Sequence, residues 1–433
     1  MTSMSLRELY TTLRECPANP YAGVSRLTQH LPIVLRRFCR LLWRNWHVGY
    51  DAAHTGDTTT LVTRRLDVKI TDVSVTMFNW KSQAWQTGTG SFGGNRLLGV
   101  VTVHTDAGVE GHAFLGSSRQ GAEAYAGPLI EFVKPAIVGA NPLDSGAIWQ
   151  RLWKMNRSVS TNAIGAVDVA LWDIAGKVAG LPIHRLLGTC RDRVPAYASS
   201  GLLPTPEAYG AEAQHFQSLG WTAYKIHPRG VPRDDIKICQ AVRRAVGDDM
   251  VLMLDSMWCY GYEDAVRVGR AIEALDYFWY EDPLAEEDLY NYVKLRNKLD
   301  IPIMCTEYAP GRLYGMAQWI QQMASDILRG DVAVTGGITP LVKIAHLAEA
   351  FHMKCEIHHG GNSLNNVANL HITMAVPNCD YYEVFPASGA NKFALVEDIE
   401  VDEQGLVYAP EKPGLGYEID WELVKHETVQ VVR

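Results

Sequence analysis

The apolar residues change their spacing twice along the chain. From Leu66, the stretch LDVKITDVSVTMF alternates apolar and polar residues, the pattern of a strand with one buried face. RLLGVVTVHTDAGVEGHAFLG alternates on both sides of Thr105-Asp106-Ala107-Gly108, a hairpin turn sequence. An antiparallel sheet is therefore expected to open the ordered part of the chain. Between residues 121 and 188 the alternation gives way to helical spacing, and GAVDVALWDIAGKVAG is followed by Pro182, a helix stop. Together these stretches predict a small α+β domain.

From Val194 to Pro386 one unit recurs: a short strand rich in β-branched and aromatic residues, a polar tip, then an amphipathic helix. The strand tips read YASSG, YKIHP, LMLDS, WYEDP, MCTEY, LRGDV, EIHHG and YYEVF. Eight strands alternating with helices predict an α/β fold, a (β/α) barrel whose active site lies at the carboxyl ends of the strands, where the charged residues gather. The tail from 387 to 433 holds no further strand-helix unit and is expected to fold back on the first domain. The expected boundaries are 1–63 for an N-terminal extension, 64–190 for the α+β domain, 191–386 for the barrel and 387–433 for the returning segment.

A length of 433 residues exceeds one ordinary core and suits a barrel with a second domain attached. Hydrophobic content of 47% with 20% charged residues is that of a globular chain. The formal charge of −8 leaves no domain-wide basic surface to neutralise phosphates, so nucleic acid is not an expected partner. An anionic small molecule would need a local cation. The eight cysteines are scattered and never form C-x-x-C, which fits free thiols in a reducing compartment, and the cytoplasm is the expected location. The N-terminal extension stands apart. Before residue 50, Arg7, Arg14, Arg26, Arg36, Arg37, Arg40 and Arg44 face only Glu8 and Glu15, and LPIVLRRFCRLLWRNW can form a basic amphipathic helix. That is the pattern of an organelle-targeting or membrane-surface segment; an appended start that packs loosely is the other reading. No run of 18 apolar residues exists, so no membrane insertion is expected.

Three carboxylates carry the strongest chemical signal. Asp255, Glu281 and Glu307 each end a predicted strand, 26 residues apart and then 26 again, about one strand-helix unit each. Three consecutive strands then aim a carboxylate into one cavity, and hard oxygen ligands of this kind suit Mg²⁺, with Mn²⁺ as a substitute. On the preceding strand Lys225 and His227 are two apart and share a face. Asp331 tips the sixth strand, and a carboxylate beside an imidazole makes a general base. Of the histidine pair in EIHHGG, alternation puts Lys354, Glu356 and His358 on one face and Cys355, Ile357 and His359 on the other, whose apolar residues meet the surrounding helices. His358 is thus the inward one, and His359 begins the loop. On the eighth strand Glu383 is a hydrogen-bonding acid if kept protonated. Gly88-x-Gly90-x-x-Gly93 satisfies a dinucleotide fingerprint, but LLGVVTV follows it as a strand where a helix is required, so no nucleotide cofactor is expected.

Over residues 66 to 425 the chain resembles the enolase superfamily and, within it, the mandelate racemase subgroup. NAIGAVDVALWDIAGKVAGLPIHRLLG looks like that subgroup's signature, and Asp255, Glu281 and Glu307 fall on its three Mg²⁺ ligands. DVAVTGGIT resembles the segment carrying the Asp of its His-Asp dyad, which makes Asp331 and His358 that dyad, and Glu383 matches its acid on the last strand. PGLGYEID is similar to the C-terminal return to the capping domain. The resemblance implies a modified TIM barrel of (β/α)7β form with an α+β cap, and abstraction of the proton α to a substrate carboxylate through an enediolate. One departure stands out: the second strand reads KIH where K-x-K is common, so His227 replaces a lysine base, and base, acid and binding contact all stay open for it. Loss of a β-hydroxyl would make the protein a sugar-acid dehydratase acting on an aldonate or aldarate; return of a proton to the opposite face would make it a racemase or epimerase. Dehydration is the favoured expectation, a non-catalytic binding barrel the remote one. NWKSQAWQTGTGSFGGN (79–95) is expected as a polar loop that closes over a small carboxylate substrate, and a homo-oligomer is the expected assembly.

Overall fold

The alternation after Leu66 becomes a long antiparallel hairpin, β1 (Ile70–Thr87) and β2 (Gly90–Thr105). The computed structural model describes residues 68–87, 90–385 and 392–433; the N-terminal extension lies outside them. On one face of the hairpin Val73 stands opposite Val103 and Val75 opposite Val101, all fully buried, the cross-strand pairs that fix register. The strands outrun the apolar pattern. The stretch 79–95, expected as a loop, continues the pairing through Lys81↔Asn95 and Trp85↔Phe92, with a register shift between Ser82 and Trp85. Ladder bonds use the backbone, so a polar, glycine-rich stretch can extend a strand that side-chain patterning does not mark. Gly90 and Gly93 of the G-x-G-x-x-G run lie in β2, and Gly88 lies outside the described residues.

β3 (Gly111–Leu115) pairs with the other edge of β2, and β13 (Thr428–Val432) returns from the C-terminus to pair with β1 at residues 75–78. The tail does not go straight there. β12 (Leu406–Tyr408) first pairs antiparallel with a barrel strand, β4 (Arg193–Ser199). The other barrel strands are β5 (Ala223–Ile226), β6 (Val251–Asp255), β7 (Trp279–Glu281), β8 (Ile303–Cys305), β9 (Ile327–Gly330), β10 (Lys354–Ile357) and β11 (Tyr382–Val384). They pair in parallel in the order β10-β9-β8-β7-β6-β5-β4-β11, a nearly closed barrel. Its floor is one apolar layer of Tyr197, Ala223, Met253, Trp279, Met304 and Ile327. Two residues further along the strands, alternation brings Lys225, Asp255, Glu281 and Arg329 to the same inner face.

The helix Thr161–Ala179 joins the two domains. Ser160 Oγ caps its first turn by accepting from the Asn162 N–H at 3.2 Å, and Gly180, at φ 67°, ends it in the left-handed conformation that glycine adopts freely. Most of the helix is buried, including two carboxylates that bind backbone at a distance in sequence. Asp168 accepts from the Thr339 N–H at 2.8 Å, and Asp173 accepts from the Leu415 and His112 N–H groups at 3.0 Å each. At Gly165 a Cβ would fall 2.6 Å from the Val332 carbonyl oxygen, so only glycine lets the helix approach the segment that follows Asp331. The six cysteines within the described residues are free thiols. No helix among the described residues is long and apolar enough to cross a membrane.

Candidate active site

The inner layer above the floor is ionic. Asp255 and Glu281 stand opposite one another in register at the ends of β6 and β7. Glu307 lies beyond the end of β8, where Thr306 takes φ 94° and bonds its hydroxyl to β9, donating to the Arg329 carbonyl at 3.1 Å. A positive φ at a non-glycine residue is uncommon; here it turns the chain at the strand end just before Glu307. Lys225, fully buried, reaches Glu281 at 2.9 Å, Glu383 at 2.8 Å and Asp255 at 3.4 Å. Arg329 is equally buried and reaches Glu281 at 2.5 Å, Glu383 at 2.6 Å and Glu307 at 3.6 Å, with the Tyr197 hydroxyl 3.3 Å away. Burial opposes charge on Glu383, but Lys225 and Arg329 hold it well below the usual carboxylate range. Glu383 would serve as a hydrogen-bonding acid only if kept protonated, and the two buried cations that share it favour its ionised form.

The two neighbouring histidines of EIHHGG part company at the mouth of the barrel. His358 Nδ1 lies 2.9 Å from Asp331 Oδ2, while Asp331 Oδ1 accepts from the Ala333 N–H at 2.6 Å and caps a single helical turn, Val332–Thr335. Nδ1–H donated to Asp331 leaves Nε2 to take a proton. Burial pulls the imidazole down, but Glu307 and the Asp331 bond outweigh it and raise its pKa above the ordinary value. Asn369 ties the dyad's backbones together, accepting from the Val332 N–H at 3.0 Å and donating to the His358 carbonyl at 2.8 Å. Gly360 has no side chain for a reason: a Cβ there would fall 2.5 Å from the His358 ring. His359 turns the other way. Its ring packs on Tyr382 at 4.0 Å, its Nδ1 accepts from the Glu383 N–H at 3.4 Å, and burial holds its pKa well below the ordinary value.

His227 enters from the other side of the carboxylates. Its Nδ1 lies 2.6 Å from the Ser200 carbonyl and its Nε2 3.0 Å from Asp255 Oδ2. Both partners are acceptors, so satisfying them together takes both ring N–H groups. Burial opposes charge on Asp255, but Lys225 and His227 hold it below the usual carboxylate range. Strand tips and spacing mark every group of this cluster except Arg329, Tyr197, Ser200 and Asn369. Arg329 was legible, since it shares strand parity with Asp331; Asn369 sits in a buried helix with no pattern to mark it.

The carboxylates here are turned onto Lys225 and Arg329, and among the described residues no three His, Cys, Asp or Glu side chains close around a point an ion could hold. Their chemistry still fits Mg²⁺. Hard oxygens end three consecutive strands, and Glu307 Oε1 is buried without a hydrogen-bond partner, 3.5 Å from His358 Nδ1. The arrangement sets two imidazoles, His358 and His227, on either side of a cluster of carboxylates held by Lys225 and Arg329.

Comparison with known proteins agrees with this fold. Residues 70–188 match the mandelate racemase / muconate lactonizing enzyme N-terminal domain, and residues 208–423 match the enolase C-terminal domain-like model. A crystal structure of D-glucarate dehydratase from Agrobacterium tumefaciens complexed with magnesium superposes with a TM-score of 0.77 at 35% identity, covering 84% of this chain and 99% of that one. D-xylonate dehydratase of Haloferax volcanii is 29% identical over 394 residues, 84% of this chain and 90% of that protein. D-galactarolactone cycloisomerase of Agrobacterium fabrum is 31% identical over 345 residues, 74% of this chain and 88% of that protein. With both domain models matched in order and the barrel and cap in place, the chain belongs to the mandelate racemase / muconate lactonizing enzyme family of the enolase superfamily.

Proposed function

We propose that this chain is a Mg²⁺-dependent dehydratase of sugar acids that removes the proton α to the carboxylate and expels the β-hydroxyl, giving a 2-keto-3-deoxy acid. The observation that carries the reading is the His358–Asp331 dyad at 2.9 Å, set beside three strand-end carboxylates and two buried cations. Asp255, Glu281 and Glu307 would hold the ion, which when bound supplies positive charge against the negative charge that develops as the α-proton leaves. Lys225 orients the substrate carboxylate. His358 Nε2 takes the α-proton, and Asp331 keeps the ring in the tautomer that can do so. The β C–O bond then breaks with its electron pair on oxygen, His227 gives the proton that makes it water, and the enol left behind loses its hydroxyl proton and gains one at C3 to become the keto acid. General acid and general base each contribute roughly 10²–10⁴-fold.

The names of the dehydratase relatives support elimination over racemisation, and His227 supports it further, since a ring bonded to two acceptors is set to donate. The cycloisomerase among the relatives marks the competing outcome, in which no water is lost. Replacing His227 separates the steps. His227→Asn should keep exchange of the α-proton with solvent deuterium while keto-acid formation falls by roughly 10²-fold or more. Loss of exchange and product in equal measure would instead make His227 a base or a binding residue.

A further inference from the structure

At the barrel mouth the α+β domain contributes the loop 116–120, fastened on two sides. The Ser118 carbonyl accepts from the Gly93 N–H of the hairpin at 3.0 Å, and Asn362, which follows EIHHGG directly, donates to the Gly116 carbonyl at 2.8 Å. Arg119 lies on this loop between two aromatic rings: its guanidinium carbon is 4.8 Å from the Phe92 centroid and 5.8 Å from that of Tyr308, the residue after Glu307. Rings on a guanidinium leave its N–H edges as the groups free to bind. A second guanidinium, Arg312, lies 5.8 Å from the same Tyr308 ring, but it is committed to backbone, donating to the Val334 carbonyl at 3.2 Å, the Ala309 carbonyl at 2.9 Å and the Tyr308 carbonyl. The Arg119 side chain reaches solvent and donates a hydrogen bond to none of the described residues. Partial burial works against its charge, and Tyr308, Glu307, Asp255 and Asp282 outweigh that burial.

A sugar acid with its reacting carboxylate at Lys225 and its α-carbon at His358 must direct its far end out of the barrel, toward the loops of the α+β domain. We propose that Arg119 binds a second carboxylate at that far end, which makes the substrates aldarates, the sugar diacids, in preference to aldonates. This inference rests on the sugar-acid reading above, and the relatives leave the choice open, since one is named for a diacid and another for a monoacid. A carboxylate offers the guanidinium two charged acceptors in a matching plane, where the hydroxymethyl of an aldonate offers one neutral oxygen.

The test compares six-carbon pairs that differ only in a carboxylate or a hydroxymethyl at C6, with Mg²⁺ present. Wild type should favour the diacid in kcat/KM by about tenfold to a hundredfold, the worth of one charge-assisted contact. Arg119→Gln should erase that preference mainly through KM, with Arg119→Lys recovering part of it. Calorimetric binding of the same pairs to His358→Asn, and to His358→Asn with Arg119→Gln, reads the preference without turnover. A preference for the monoacid, equal losses on both members of a pair, or no binding of the diacid overturns the role of Arg119. Selective diacid binding through Arg119, with no sugar acid dehydrated by wild type, would uphold that role and place the failure in the proposed reaction.

Discussion

A proton-accepting imidazole is only as good as the group that holds it. His358 must be unprotonated to work, so kcat/KM should rise with pH through an acidic limb set by its imidazole, whose charged form Glu307 and Asp331 favour over the pull of burial in the metal-free protein. Asp331→Asn removes one of those carboxylates; a pH profile should show the limb moved to lower pH and kcat reduced, whereas an unmoved limb would mean that Asp331 does not set the base. Arg329 makes a second prediction. It is fully buried against Glu281, Glu307 and Glu383, and Arg329→Met leaves these carboxylates with Lys225 as the remaining buried cation. Breaking a buried pair costs roughly 3–5 kcal/mol, which a denaturant titration would read. Single residues were legible where strand parity applied. It places Lys225, Asp255 and Glu281 on the inner face, but it cannot foresee the positive φ of Thr306 ahead of Glu307, nor that two buried cations would share Glu383.

At the scale of elements, the helix Thr161–Ala179 is where the two domains meet the dyad segment. Gly165→Val should displace the backbone after Asp331, since even a Cβ meets the Val332 carbonyl at 2.6 Å. Overpacking of this kind costs about 1–3 kcal/mol, and activity should fall further than stability because a misplacement of catalytic groups by about 1 Å can cost roughly 10²-fold in rate. The melting transition and kcat of Gly165→Val and Gly165→Ala together check this; a stability loss with unchanged kcat would show that the helix holds the fold without positioning the dyad. The strand-helix units of the barrel were readable because each strand is short, bounded by a polar tip and followed by an amphipathic helix. The hairpin was readable only where valines alternate. Its extension through residues 79–95 and the pairing of β12 with β4 rest on backbone hydrogen bonds, which leave little trace in side-chain pattern.

A formal charge of −8 coexists with a carboxylate-rich barrel centre, and a divalent cation binding the native state alone should raise stability as RT ln(1 + [L]/Kd), about 2.7 kcal/mol at a hundredfold excess over Kd. Thermal unfolding should therefore shift upward with added Mg²⁺ in wild type and lose that dependence in Glu281→Gln. The central claim, α-proton abstraction by His358 followed by loss of water, has one decisive measurement. A panel of aldarates and aldonates is incubated with the protein and Mg²⁺ in D₂O and followed by proton NMR, alongside His358→Asn. The account predicts a 2-keto-3-deoxy product from wild type, and neither product nor α-deuterium exchange from His358→Asn with its fold intact. Deuterium incorporation with inversion and no keto acid, or full turnover by His358→Asn, would contradict it.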